Sequence, residues 1–446
     1  SWRVENAIEL LDAPGEWFYS RAARRLYVWP DNRTSPHGTP PRGAYVVPQL
    51  DTLVAVRGDS MHSPVRDVTL DGIGVRDARY TYMQPHGVPT AGDWALDGER
   101  AAVVLSDVER VTVANCVVRG VDGNALLLRN YTRGVRVVDN TMSDIGGSAI
   151  VAWGSTDGYN ATRGTQPRGT VVAGNLVHSL GLWQKQSSMY FQAAACQTTL
   201  QSNIFFDTPR AAVNFNDHMG GGNKMLANLI FNAVLQSSDH GAFNSWSRMP
   251  FLTKVRDGTP SFTPAVSELA FNFGFGGGNG AQIFDNDDGS NYFHIHHNVV
   301  FDADLAKMDF GGHDSVFDSN VAVTRHFDGL NCYAFWFPFL ADHGHTFTDN
   351  RCTVRDQHSN TIGYLPCDAE HLGAPIHAVL TNNRYYTANA TATAVCATRG
   401  EKAVPFAALQ ASGIERGSSV AAWPSNDEQL AWMADLVDAA AEKYGV

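Results

Sequence analysis

The sequence predicts an all-β chain, a right-handed parallel β-helix (a solenoid) with an N-terminal cap of short helix and β-hairpin and with a C-terminal α-helix. Three observations carry this. Short runs alternate apolar and polar side chains with period two, as half-buried strands do. The runs recur closely with no amphipathic helix between them, which excludes a βαβ design. Asparagine returns at one fixed place in the local pattern, which marks an internal repeat.

The repeat is a β-branched run that ends in asparagine, continues through a few apolar residues and enters a turn. VTVANCVV carries Asn115, RVVDNTMS Asn140, VVAGNLVH Asn175, TLQSNIFF Asn203 and MLANLIFN Asn228. LAFNFGF carries Asn272, HIHHNVVF Asn298, FDSNVAV Asn320, FTDNRCTV Asn350 and LTNNRYY Asn383. Steps range from 22 residues between Asn298 and Asn320 to 44 between Asn228 and Asn272, as bare coils and coils with inserted loops would give. An asparagine at each bend can bond the backbone and its neighbours above and below, forming a ladder that satisfies buried polar groups. The ends differ from this pattern. A short helix over about residues 6–11 and a hairpin of Trp17 to Tyr19 against Leu26 to Trp29 would cap the first edge. At the far end Ser425 and Glu428 form a capping box before a helix carrying Leu430, Met433, Leu436, Val437 and Tyr444, expected beside the last coils. The expected division is 1–60 cap, 61–400 β-helix and 401–446 tail with amphipathic helix.

Composition narrows the partners. Net charge is −12, without the basic face that a phosphate backbone requires, so nucleic acid is excluded. The same acidity favours a neutral over a polyanionic poly- or oligosaccharide. No apolar stretch is long enough to span a bilayer. The chain begins at Ser1 rather than Met, which reads as a processed or trimmed product. Six cysteines lack any zinc-like spacing, and the four at Cys332, Cys352, Cys367 and Cys396 suit two bridges. Sequons at Asn32, Asn130, Asn160 and Asn389 fit a glycosylated protein, and the expected location is secreted or extracellular.

If the ladder fixes register, the strands that follow each asparagine stack on one sheet. They read ALLLRN, AIVAWG, AAVNFNDH, GAFNSWSR, AQIFDNDD and AKMDFGGH, apolar at first and then polar and aromatic. Glycosidic cleavage needs two carboxyl groups in different protonation states, and neighbouring aspartates supply that by mutual repulsion. The preferred pair is Asp239 and Asp288, with Asp287 and Asp217 as close competitors. His240, Asn244, Trp246, Arg248, His218, Asp285, Lys307 and His313 are expected to bind substrate by stacking or by holding hydroxyls. The plainer alternative is that DNDDGS and SDHG are only tight corners. No cofactor or metal is expected. DNDDGS departs from the EF-hand loop, and the histidines of HIHH read as packed or exposed side chains.

ENAIELLDAPGEWFYS with RLYVWP, GGGNKMLANLIFNAVLQSSDHGAFNSWSR, FDNDDGSNYFHIHHNVV and FAALQASGIERGSS resemble right-handed β-helix proteins, pectate-lyase-like in fold, related to glycoside hydrolase family 141. That family includes α-L-fucosidase and xylanase activities. The resemblance implies paired aspartates as acid and as base or nucleophile, falling on Asp239 and Asp288. Two other functions suit the same scaffold. A polysaccharide lyase would need a basic proton acceptor, for which Lys307, Arg248 and Arg210 are available. A non-catalytic structural, adhesive or glycan-binding module of a cell coat or filament would need none.

Overall fold

A computed structural model describes residues 4, 6–31, 33, 45–81, 96–158, 160–162, 164–217, 219–238, 240–252, 263–277, 282–324, 331–336, 340, 342–374, 376–398 and 400–445. Among these, successive strands fall in rotation into three long sheets of 15, 11 and 12 strands. Leu126–Arg133 enters the first sheet, Arg136–Val138 the second and Thr141–Ile145 the third, and Ile150–Trp153 then returns to the first beside Leu126–Arg133. Neighbours within each long sheet run parallel, apart from Thr393–Cys396 against Lys402–Pro405. The result is an all-β solenoid, as the alternating runs predict. One apolar core fills its interior from Val75 to Ile414.

The corner between the second and third sheets explains why asparagine recurs. The residue before each ladder position has positive φ, including Asp139, Ser202, Ala227, His297 and Asp349. That conformation turns the chain sharply at a steric cost for non-glycine residues. The next residue offsets the cost with hydrogen bonds. Asn228 Nδ2 donates to Leu200 O at 3.0 Å and to Asn272 Oδ1 at 2.9 Å, and its backbone N–H reaches the same Oδ1 at 3.0 Å. The contact repeats without a break from Asn140 to Asn383. Asn115 departs from the expectation. It is itself the positive-φ residue, exposed and bonded to Asp71, while Cys116 occupies the ladder position and takes the Asn140 carbonyl on its N–H. Asn228→Ala is expected to cost about 2–4 kcal/mol, since it orphans buried backbone groups on two coils. Urea denaturation of the variant beside the parent protein measures it.

The chain divides into Ser1–Val47 and Pro48–Val446. In the first unit, one 3-10 turn at Ile8–Leu10 precedes a hairpin of Trp17–Ser20 and Arg25–Val28. In the second, the helix Asn426–Tyr444 has the expected capping box but a narrower apolar face. Met433 and Ala440 are buried, whereas Leu430 is 61% exposed and Val437 45%. The helix lies on Leu226, Ala227, Phe271, Val299 and Val321 of the middle coils, and its first turns reach the late coils, with Trp432 against Tyr386 and Arg351 and Asn426 bonded to Arg355. Cys332–Cys352 and Cys367–Cys396 are disulfides, and Cys116 and Cys196 are buried thiols. Among the described residues no helix is long and apolar enough to cross a membrane.

Candidate active site

Period-two alternation on the first sheet sends every second side chain outward, and parallel register stacks these side chains coil upon coil. Val213, Phe243, Phe284 and Ala306 point into the core, in register with one another. Their next neighbours form an outward row, Asn214, Asn244, Asp285 and Lys307. Two residues further along lies a second outward row, Asn216, Trp246, Asp287 and Asp309. Backbone bonds Trp246 N–H to Phe215 O, Asp287 N–H to Ser245 O and Asp309 N–H to Asn286 O carry the ladder that far. On earlier coils the first row is apolar, Val104, Leu127, Val151 and Phe191. The change from apolar to ionisable marks the site.

The two rows meet around one ammonium. Lys307, 6% exposed, places Nζ 3.2 Å from Asp285 Oδ1 and 2.8 Å from Asp309 Oδ2. Asp285 is fully buried and accepts from Gly241 N–H at 3.1 Å and Asn244 Nδ2 at 3.0 Å. Oxygens of Asp287, Asp288 and Asp309 lie within 4.8 Å of one another, and so do ligating atoms of His240, Asp285 and Asp287.

These surroundings split the carboxyls. Burial pushes Asp309 up to about 7 although Lys307 pulls it the other way, and burial likewise lifts Asp285 to about 6. Asp287 also feels burial, but Lys307, the Asp288 N–H, the Trp246 side chain and the Asp309 carboxyl together hold it below the usual carboxylate range. Burial opposes charge on Lys307, yet Asp285, Asp309 and Asp287 hold it firmly protonated. Burial and then the nearby Arg210 charge press His240 down to about 3, so its ring is neutral at neutral pH. The surroundings therefore push two neighbouring carboxyls on adjacent coils in opposite directions, Asp309 toward its protonated form and Asp287 toward its ionised form.

The remaining expected residues take different places. Arg248 lies over the Trp246 ring at 4.8 Å, donates to the Asp288 carbonyl at 3.0 Å and faces Asp217 at 3.7 Å. Asp288 sits in the turn after Gln282–Asn286, where its N–H donates to Asp287 Oδ1 at 2.9 Å. His313 joins a separate group. Asn291 Nδ2 meets its Nε2 at 3.1 Å, its Nδ1 lies 2.8 Å from Asp314 Oδ2, and His343 Nδ1 reaches the same oxygen. Asp239, His218 and Asn32 fall outside the described residues. Asn160 and Asn389 are exposed, and Asn130 is half-buried in a strand.

Asp309 was not among the expected residues, though its segment AKMDFGGH was aligned with the others. Two places after an outward lysine it had to point outward as well. In the carboxyl cluster of Asp285, Asp287 and Asp309, Lys307 already supplies positive charge, so that donor set fits an ammonium better than a divalent ion.

No family model matches the chain, and no curated protein does. Among solved structures, one described as "Glycoside hydrolase" superposes with a TM-score of 0.55 at 17% identity, covering 71% of this chain and 57% of that one. Another, "The complex structure of XylC with xylose", gives a TM-score of 0.38 at 9% identity, over 72% of this chain and 50% of that one. The first likeness is one of fold, and this chain spans little more than half the length of that structure.

Proposed function

We propose that this chain is a secreted glycoside hydrolase on a right-handed parallel β-helix, with Asp309 as general acid and Asp287 as nucleophile against a neutral poly- or oligosaccharide. What carries this reading is the placement of these two neighbouring carboxyls beside Lys307 on an outward sheet face, in surroundings that push them in opposite directions. Asp309 gives its proton to the glycosidic oxygen as that bond breaks, and Asp287 forms an ester to the anomeric carbon. Asp309, now ionised, takes a proton from the water that cleaves the ester, which restores both groups. Nearest oxygens within 4.8 Å of one another lie closer to the about 5–5.5 Å of a retaining pair than to the about 6.5–9.5 Å of an inverting one. Asp288, whose N–H donates to Asp287 Oδ1 and whose carbonyl accepts from Arg248, is assigned a positioning role beside the pair. The two disulfides support an oxidising, extracellular setting.

The lyase alternative loses Lys307 as its base, because this side chain is held protonated between Asp285 and Asp309, which leaves only Arg248 and Arg210 of the basic residues considered. A purely adhesive module gains nothing from burying three carboxyls around one ammonium, an arrangement that costs desolvation. The test is a screen of neutral plant and algal glycans by reducing-sugar release, followed by a pH profile on whichever is cleaved. kcat/KM is expected to fall above about 7 as Asp309 loses its proton, and to fall again only below the ordinary carboxylate range as Asp287 gains one. A profile that stays flat well into the alkaline range would remove Asp309 as the acid.

A further inference from the structure

Apart from the carboxyls around Lys307, a second group of side chains converges, and the coil register assembles it. Val316 pairs with Thr346, and Asp314 N–H donates to the Gly344 carbonyl at 3.1 Å, so His313 and His343 hold equivalent places on adjacent coils. Their rings meet at 64° with centres 5.1 Å apart, tilted rather than stacked. Along a regular strand, neighbouring residues 313 and 314 would face opposite ways. Asp314 instead has φ 51°, a left-handed corner that aspartate tolerates, and its carboxyl comes back beside the His313 ring. The turn that follows Asp309, closed by Gly312 N–H to the Asp309 carbonyl at 3.1 Å, leads directly into this group.

Both rings aim one nitrogen at one oxygen. Asp314 Oδ2 lies 2.8 Å from His313 Nδ1 and 2.5 Å from His343 Nδ1, and one ligand atom from each of the three lies within 4.8 Å of the other two. By contrast, His294, His296 and His371 each pair with a carboxylate of their own. Tetrahedral bonds of about 2.0–2.2 Å set ligand atoms about 3.3 Å apart, so the two contacts to Asp314 need to lengthen by less than about 1 Å to admit an ion. A metal takes the Nδ1 lone pairs, which puts the remaining ring proton on Nε2. For His313 that proton faces the Asn291 amide, 3.1 Å from Nε2. Asn291 is buried, and its Oδ1 has no hydrogen-bond partner among the described residues. Turning the amide over lets Oδ1 accept from Nε2–H, in exchange for Nδ2 contacts of 3.2 and 3.4 Å to the Gly289 and Arg248 carbonyls. The Tyr292 hydroxyl bonds the Asp314 carboxyl from behind. A buried acceptor behind the ring and a donor behind the carboxylate are the supports that metal ligands need.

We propose that His313, Asp314 and His343 form a site for one divalent transition-metal ion of the zinc class, held by two imidazole nitrogens and one carboxylate oxygen and clamping two adjacent coils. Imidazole suits zinc, copper and nickel, whereas calcium and magnesium take oxygen ligands. A fourth position stays open to water. The test titrates zinc, against a competing chromophoric chelator, into the full chain without a histidine tag, and repeats this with His343→Ala, Asp314→Asn and His294→Ala. The parent protein is expected to bind zinc and to unfold at a higher temperature with zinc than with chelator alone, because an ion held only by the folded chain stabilises it. His343→Ala and Asp314→Asn should each weaken binding by about 10–100-fold or more and remove the thermal shift, while His294→Ala keeps both. The His343 side chain is 43% exposed, so its loss leaves the core intact, and circular dichroism checks the fold of each variant. Failure of the parent to bind zinc, or zinc binding that survives both His343→Ala and Asp314→Asn, would overturn the proposal.

Discussion

Asp309→Asn is expected to lower kcat on a natural glycan by about 10²–10⁴-fold, the usual worth of a positioned general acid. The amide keeps the shape and the contact to Lys307 but has no acidic proton for the leaving oxygen. The loss should shrink on a 4-nitrophenyl glycoside, whose leaving group departs without protonation, and the alkaline limb of the pH profile should vanish. Asp287→Asn should cost at least as much and should not recover on the activated substrate, because it removes the attacking oxygen itself. Asp288→Asn should cost less than either, since its N–H to Asp287 Oδ1 and its carbonyl to Arg248 survive the change. Steady-state rates on one glycan and one activated glycoside separate the three variants. Equal losses in Asp287→Asn and Asp288→Asn would instead indicate a collapse of the DNDDGS turn that holds both residues.

Lys307→Met is expected to destabilise the protein by about 3–5 kcal/mol at neutral pH, the range for removing one partner of a buried ion group. Methionine fills much the same volume, so the cost is electrostatic. Without the ammonium, Asp285, Asp287 and Asp309 face one another with nothing to balance them. Asp285 and Asp309 would then hold their protons to higher pH, and Asp287 would cease to ionise first. The penalty should therefore shrink as pH falls and the carboxyls protonate, because protonation removes the uncompensated charge. Urea denaturation at pH 7 and pH 5 checks the sign. A penalty that does not change with pH would mean that Lys307 stabilises by packing alone, and one that grows toward acid pH would contradict the electrostatic account.

Much of this architecture was legible in the sequence, for a definite physical reason. The positive-φ corner followed by a bonded asparagine admits few residue types, so the ladder from Asn140 to Asn383 stands out against variable strands. Asn115 misled because asparagine also tolerates the left-handed conformation of the preceding position. The site was less legible because the ladder fixes the second and third sheets better than the first. A short link leads from Asn298 to Ala306 and a longer one from Asn228 to Phe243, although Ala306 and Phe243 occupy equivalent inward places. Once register is known, alternation does the rest. Asp285 and Asp287 point outward, Asn286 between them points into the core, and Lys307 and Asp309 repeat the outward pattern on the next coil. Nothing in local composition distinguishes Asp309 from a turn aspartate before the two glycines that follow it. Its burial and its lysine partner do.

The central claim is that Asp287 and Asp309 are held in opposite protonation states, and carbon-13 NMR titration of labelled aspartate carboxyls tests it most directly. With Asp309→Asn and Asp287→Asn for assignment, one carboxyl should titrate near 7 and disappear in the first variant. The Asp287 carboxyl should stay ionised to below the usual carboxylate range. Titration of both groups together in the ordinary range would contradict the account.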